Sequence, residues 1–131
     1  MAFGVGPQIE HPEAWSRYAE AWSWVHLARL LWDDSVATLA GLAGRGESPD
    51  VVVAAQLRLA SSRICRLARD GVATMLDGAG SSAHHLSHPL QRAQRDIDVI
   101  KSHNYLHWDG ASVQSGHTLL GLEPPHWLLT A

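Results

Sequence analysis

Apolar residues recur every three or four positions from Trp15 through Tyr18, Trp22, Val25, Trp32 and Val36 to Leu39. That spacing draws one stripe along a helix and marks a surface that must pack against another helix. A second stripe (Trp24, Leu27, Leu31) widens the face, so this helix should be covered on two sides. Pro12 suits an opening turn, and glycines gather from Gly41 to Gly46, which predicts a helix over 12–41. Val53, Leu57, Ala60, Ile64, Leu67, Gly71 and Met75 repeat the three-four pattern and predict a second helix over 48–77. Ser48 is its expected N-cap, Pro49 its first residue and Gly78-Ala79-Gly80 its end. A helix of that length spans about 40 Å. Gly71 weakens its interior by about 1 kcal/mol against alanine, which points to close approach of another backbone.

Pro89 opens a third predicted helix over 89–104, with Leu90, Ala93, Ile97 and Ile100 toward the core. The fourth is expected over 109–120, with Asp109 as N-cap and Gly121 as its terminator. Ser81 to His88 reads as a polar, histidine-rich loop. Pro124-Pro125 forbids further helix, leaving Trp127-Leu128-Leu129 as an apolar tail that must dock somewhere. No stretch alternates like a strand. The chain is expected to be one all-α domain over 1–131, an antiparallel up-down four-helix bundle.

Composition narrows the function classes. The 131 residues carry a formal net charge of −3, against the basic surplus that nucleic acid requires. Hydrophobic residues make up 46% and charged residues 18%, which suits a compact globule. No apolar run reaches membrane-spanning length and no secretory leader is evident, so the expectation is a soluble, cytoplasmic protein. The single cysteine, Cys65, has no disulfide partner and falls in a helical pattern as a small core residue. Nine of the ten basic residues are arginine, a choice that favours forked ion pairs and anion contacts.

The third helix carries the most chemistry. Arg92 and Asp96 are four apart and share a face; Val99 and His103 continue that stripe, with Arg95 beside it. Such an edge can hold an anion and handle a proton; its plain alternative is an intrahelical ion pair in solvent. Arg29 falls within the first helix's apolar seam, one turn before Asp33, and needs that carboxylate or a polar ligand. Arg58, Arg66 and Arg69 lie off the second seam, on a solvated or intersubunit face. His103 and His107 have helical metal-ligand spacing, with His84, His85 and His88 in the preceding loop. The supporting glutamate of a zinc site is missing and Tyr105-Leu106 interrupts the helix, so no metal is expected. The four tryptophans of the first helix either pack a core or line a pocket for a flat ligand. Trp108, beside His103 and His107, is the one placed nearest a ligand.

Ala79-Gly80-Ser81-Ser82-Ala83, then Ser87 to Arg92, Arg95-Asp96-Ile97 and His103, resemble the carboxy-terminal helical domain of flavin-dependent monooxygenases in the acyl-CoA dehydrogenase superfamily. Gly116, Leu119, Leu120 and Gly121 resemble that domain's last helix, and the likeness runs from about Pro12 to Gly121. It implies a domain that forms half of a flavin pocket and packs against its copies. It implies that Arg92 and Arg95 anchor a phosphate or other anion, that Asp96 orients an arginine, and that His103 is the proton donor or acceptor. Trp108, His107 and Arg29 are the residues expected at the substrate. The glutamate base of thioester dehydrogenation has no counterpart here, which favours hydroxylase-like chemistry.

The amino-terminal helical and central β-domains of that family are not present in these 131 residues. The first expectation is therefore a subunit of a split flavin oxidoreductase. It would bind FAD or FMN only with a partner chain or as a homo-oligomer, and act on an aromatic or polyketide-like small molecule. The alternatives are a flavin-independent cyclase or rearrangement enzyme built on the same bundle, and a non-catalytic assembly or ligand-binding module.

Overall fold

A computed structural model describes residues 10–122, and all of its regular structure among them is helical. Helix α1 runs Pro12–Gly44, α2 Val51–Gly78, α3 Pro89–Lys101 and α4 Trp108–Leu119, with a short 3-10 turn at Ser81–His84 before α3. None of these helices is long and apolar enough to cross a membrane. The tail at Trp127-Leu128-Leu129 lies outside the described residues.

Local chemistry sets the helix ends. Helix α1 runs past Gly41 because Gly46, at φ 67°, supplies the left-handed step. The Glu47 N–H then reaches the Leu42 carbonyl and the Gly46 N–H that of Ala43, each at 3.0 Å, closing a Schellman motif. The same device ends α4 where the sequence predicts it: Gly121 sits at φ 69°, and the Leu122 N–H donates to the His117 carbonyl at 3.2 Å. At the start of α2 the N-cap is Asp50, not Ser48, its carboxylate accepting from the Val53 N–H at 2.8 Å. The helix begins at Val51, so Asp50 is the residue whose carboxylate reaches the third helical N–H, and Ser48 lies two residues too far upstream to do so. In α4 the cap is His107, which places Asp109 inside the first turn, where its charge favours the helix dipole.

Helix α2 is the hub. It packs against α1, α3 and α4, whereas those three touch one another only marginally. Its closest neighbour is α1, and Gly71 marks the spot: a Cβ there would stand 3.1 Å from Val25 Cγ2 and 3.4 Å from the Ala21 carbonyl. The buried apolar set is correspondingly small in side-chain size, with Ala21, Ala28, Cys65, Leu67, Leu76, Ala83 and Ala111. Two buried serines stitch it together. Ser62 Oγ donates to the Leu106 carbonyl at 2.8 Å, and Ser115 Oγ to that of Ala55 at 2.9 Å.

The large residues of the first seam are not in this core. Trp15, Trp22 and Trp32 are each more than half exposed, as are Tyr18 and Val25. The reason is topological: α1 has one substantial helical neighbour, so its wide apolar face is covered only in part. Tyr18, Trp22 and Val25 stay more than half exposed although they line a hollow with Gly71, Val72 and Met75 of α2.

Candidate functional site

The Arg-Asp-His edge does not form as one stripe. Helix α3 ends at Lys101 with Ser102 as C-cap, two residues short of His103. His103 instead sits in a run of turns, where its Nδ1 accepts the Tyr105 N–H at 3.3 Å while its carbonyl accepts from Leu106 and His107. A side chain that caps its own local backbone competes with helix continuation, and the three-four spacing alone does not reveal that competition. With Nδ1 accepting, the neutral ring carries its proton on Nε2, the nitrogen left for an outside partner. His103 is exposed and lines none of the clefts described below.

Arg92 and Asp96 do meet, Nε to Oδ2 at 3.7 Å, with side chains 79% and 63% exposed. Arg95 is exposed beside them. Arg29 Nε contacts both oxygens of Asp33 at 3.0 and 3.2 Å on the solvent side of α1, so the carboxylate the sequence demanded is present but the pair is not buried. Exposed pairs of this kind contribute little to stability. His107 and Trp108 lie together on a shallow depression of about 230 Å³ with Arg66, Arg69, Lys101 and Ser102. The Arg63 and Arg66 guanidinium carbons stand 4.0 and 4.8 Å from the Trp108 ring centroid. The predicted residues thus occupy four places: the α3 edge, the turn at His103, the depression at Trp108, and α1.

A cleft that the sequence did not delineate is the largest hollow described, about 540 Å³. Trp32, Val36 and Leu39 of α1 form one wall, Leu57, Ile64 and Cys65 of α2 the floor, and Ile100, Tyr105 and Leu106 the far side. Its size matches ordinary small-molecule sites, and no charged side chain lines it. Ser35 and Ser61 at its margin spend their hydroxyls on the Leu31 and Leu57 carbonyls, at 2.7 and 2.8 Å. Burial pushes the Cys65 thiol up from its ordinary value, which keeps it protonated and a poor nucleophile. The cleft can hold an apolar body but has no acid or base of its own. Trp32 and Ile100 were legible as core-facing seam residues; Tyr105 and Leu106 were not, because they come from the turn that follows α3.

Among the described residues no three His, Cys, Asp or Glu side chains gather at metal-binding geometry. Flavin fits this chain poorly by itself. The arginine edge is open, and the large cleft lacks a cation for a phosphate.

Comparison with known proteins gives the family. The sequence profile of the acyl-CoA dehydrogenase C-terminal domain matches residues 2–108, and the chain belongs to that family. It is 38% identical over 53 residues to the oxygenase component of an FADH(2)-dependent resorcinol hydroxylase from Rhizobium sp. (strain MTP-10005), a match covering 40% of this chain and 13% of that protein. It is 34% identical over 80 residues to a pigment production hydroxylase from Rhodococcus sp. (strain ATCC 21145), covering 61% of this chain and 21% of that one. The crystal structure of 3-HSA hydroxylase from Rhodococcus sp. RHA1 superposes with a TM-score of 0.82 at 25% identity, over 97% of this chain and 33% of that chain. The chain therefore spans a third or less of the relatives it matches.

Proposed function

We propose that this bundle is the helical part of a flavin-dependent hydroxylase assembly acting on an aromatic small molecule. The surfaces it lacks would come from a second polypeptide or from further copies of itself. The observation that carries the reading is the combination of a fold shared with a hydroxylase and two exposed surfaces: the aromatic residues of α1 and the Arg92–Asp96 edge of α3. Both are costly or idle in solvent and become useful against another protein surface.

In that assembly Arg92 and Arg95 hold the flavin's phosphate or another anion, and Asp96 keeps Arg92 oriented. His103 offers its Nε2 proton to the reacting centre, while His107 and Trp108 lie toward the substrate side. Arg29, held by Asp33 on the outer face of α1, serves the substrate or the partner surface. The hydroxylase names of the relatives favour a phenolic substrate, and a cytoplasmic location accords with flavin reduced by a separate enzyme.

The test is an aerobic assay with reduced FAD or FMN and a panel of phenols, run with this chain, with a candidate second chain, and with both. The proposal expects hydroxylated product only when this chain is present. Product formation by the second chain alone would eliminate it.

The 540 Å³ apolar cleft favours a second reading, a ligand-binding module. The cyclase alternative draws less support, since a reacting ligand in that cleft would lie beside Trp32 and Tyr105 without reaching His103.

A further inference from the structure

Arg58 is a half-buried cation in search of an anion. Arg29, Arg45, Arg69 and Arg92 each face a carboxylate within 4 Å. Arg58 has no such ion pair among the described residues, and its Nε is buried with no hydrogen-bond partner. Its guanidinium carbon lies 5.1 Å from the centroid of Tyr105, and one terminal nitrogen comes within 4.0 Å of where a Cβ on Gly110 would stand. The side chain thus bridges from α2 to the first turn of α4 and lines a hollow of about 240 Å³ with Val51, Ala54, Tyr105 and Thr118. An aromatic face offsets only part of the hydration a guanidinium gives up, and a forked donor is best satisfied by a planar oxyanion.

The hollow does not stand alone. Ala54 and Tyr105 line both it and the 540 Å³ apolar cleft, so the two adjoin across those side chains. One side offers a cation with donors, the other an apolar trough without charge. We propose that these adjoining hollows form a binding site for an aromatic carboxylate. The carboxylate sits on the guanidinium of Arg58, and the ring system lies against Tyr105 and the mouth of the apolar cleft. This site stands apart from the Arg92–Asp96 edge and holds whether or not the chain takes flavin.

The probe is 2-naphthoate, with the isosteric neutral 2-naphthamide as control, titrated calorimetrically into the full chain at constant ionic strength. The expected result is saturable binding of the acid, at least tenfold weaker binding of the amide, and a tenfold or greater loss with Arg58→Gln. Arg17→Gln, which stands against Gly78 at the opposite end of α2, should bind as the wild type does. Because Arg58→Gln removes packing on Tyr105, Ala54→Trp provides a second variant: it fills the shared wall from an exposed helix position and should also abolish binding. Equal affinity for acid and amide, no saturable binding of the acid, or wild-type affinity in a folded Arg58→Gln or Ala54→Trp chain would each overturn the proposal.

Discussion

Ser62 Oγ donates to the Leu106 carbonyl at 2.8 Å, joining the middle of α2 to the turn between α3 and α4. Ser62 is fully buried, so this hydroxyl has no water to fall back on. The bond also fixes the wall of the apolar cleft, because Leu106 lines it. Ser62→Ala removes the donor to the Leu106 carbonyl, leaves a small void at a fully buried position and should cost about 1–2 kcal/mol in urea unfolding. Faster amide exchange should appear at residues 103–107. A stability change below about 0.5 kcal/mol would mean that the turn is held by something else.

Gly71 tests the approach of α1 to α2. Alanine there gains about 1 kcal/mol of helix propensity but sets its Cβ 3.1 Å from Val25 Cγ2, and a β-branched side chain in a helix has little rotamer freedom to yield. The two effects nearly cancel, so Gly71→Ala should stay within about 1 kcal/mol of the wild type. Gly71→Leu meets the Ala21 backbone as well and should lose about 2 kcal/mol or more. Equal tolerance of both in chemical denaturation would show the helices to be farther apart.

Cys65 gives the pH dependence a sign. Burial raises its pKa in the folded chain above the ordinary 9.0. The group's contribution is therefore fully present below pH 9.0, and stability declines as pH rises from there through the folded value. The urea midpoint of the wild type should fall relative to that of Cys65→Ala as pH rises past 9.0, and the native thiol should react slowly with a disulfide reagent near neutral pH. Parallel pH profiles for the two proteins would remove this assignment.

The exposed aromatics of α1 predict association. Trp22 stacks on His26 with centroids 4.6 Å apart, and both are exposed. Trp22→Arg together with Tyr18→Arg should shift sedimentation toward monomer while changing monomer stability by less than about 1 kcal/mol, as for surface positions. A wild-type chain that sediments as a monomer at micromolar concentration, and stays so with its candidate partner, would contradict the covered-face account.

The parts of this fold that were legible in sequence follow from periodicity and terminator chemistry. The α1 and α2 seams, the close approach at Gly71 and the stop at Gly121 all rest on backbone rules that act within a few residues. What sequence concealed depends on side chains turning back on local backbone or on who covers whom. His103 was read as helical because its spacing continues the α3 stripe, yet its imidazole takes the Tyr105 N–H and the chain turns instead. The α1 tryptophans read equally well as core or as interface, since periodicity records that a face is apolar and not which neighbour meets it. Arg58 and Tyr105 are far apart in sequence, and nothing local announces that they stack.

The account turns on whether the Arg92–Asp96 edge serves flavin once another protein surface covers it. Equilibrium dialysis of FAD and FMN against the assembled protein, wild type and Arg92→Gln, tests this most directly. The prediction is flavin bound in the assembly, and at least tenfold weaker in the variant with its oligomeric mass unchanged. Absence of flavin from every assembled form, or equal binding by the two proteins, would contradict it.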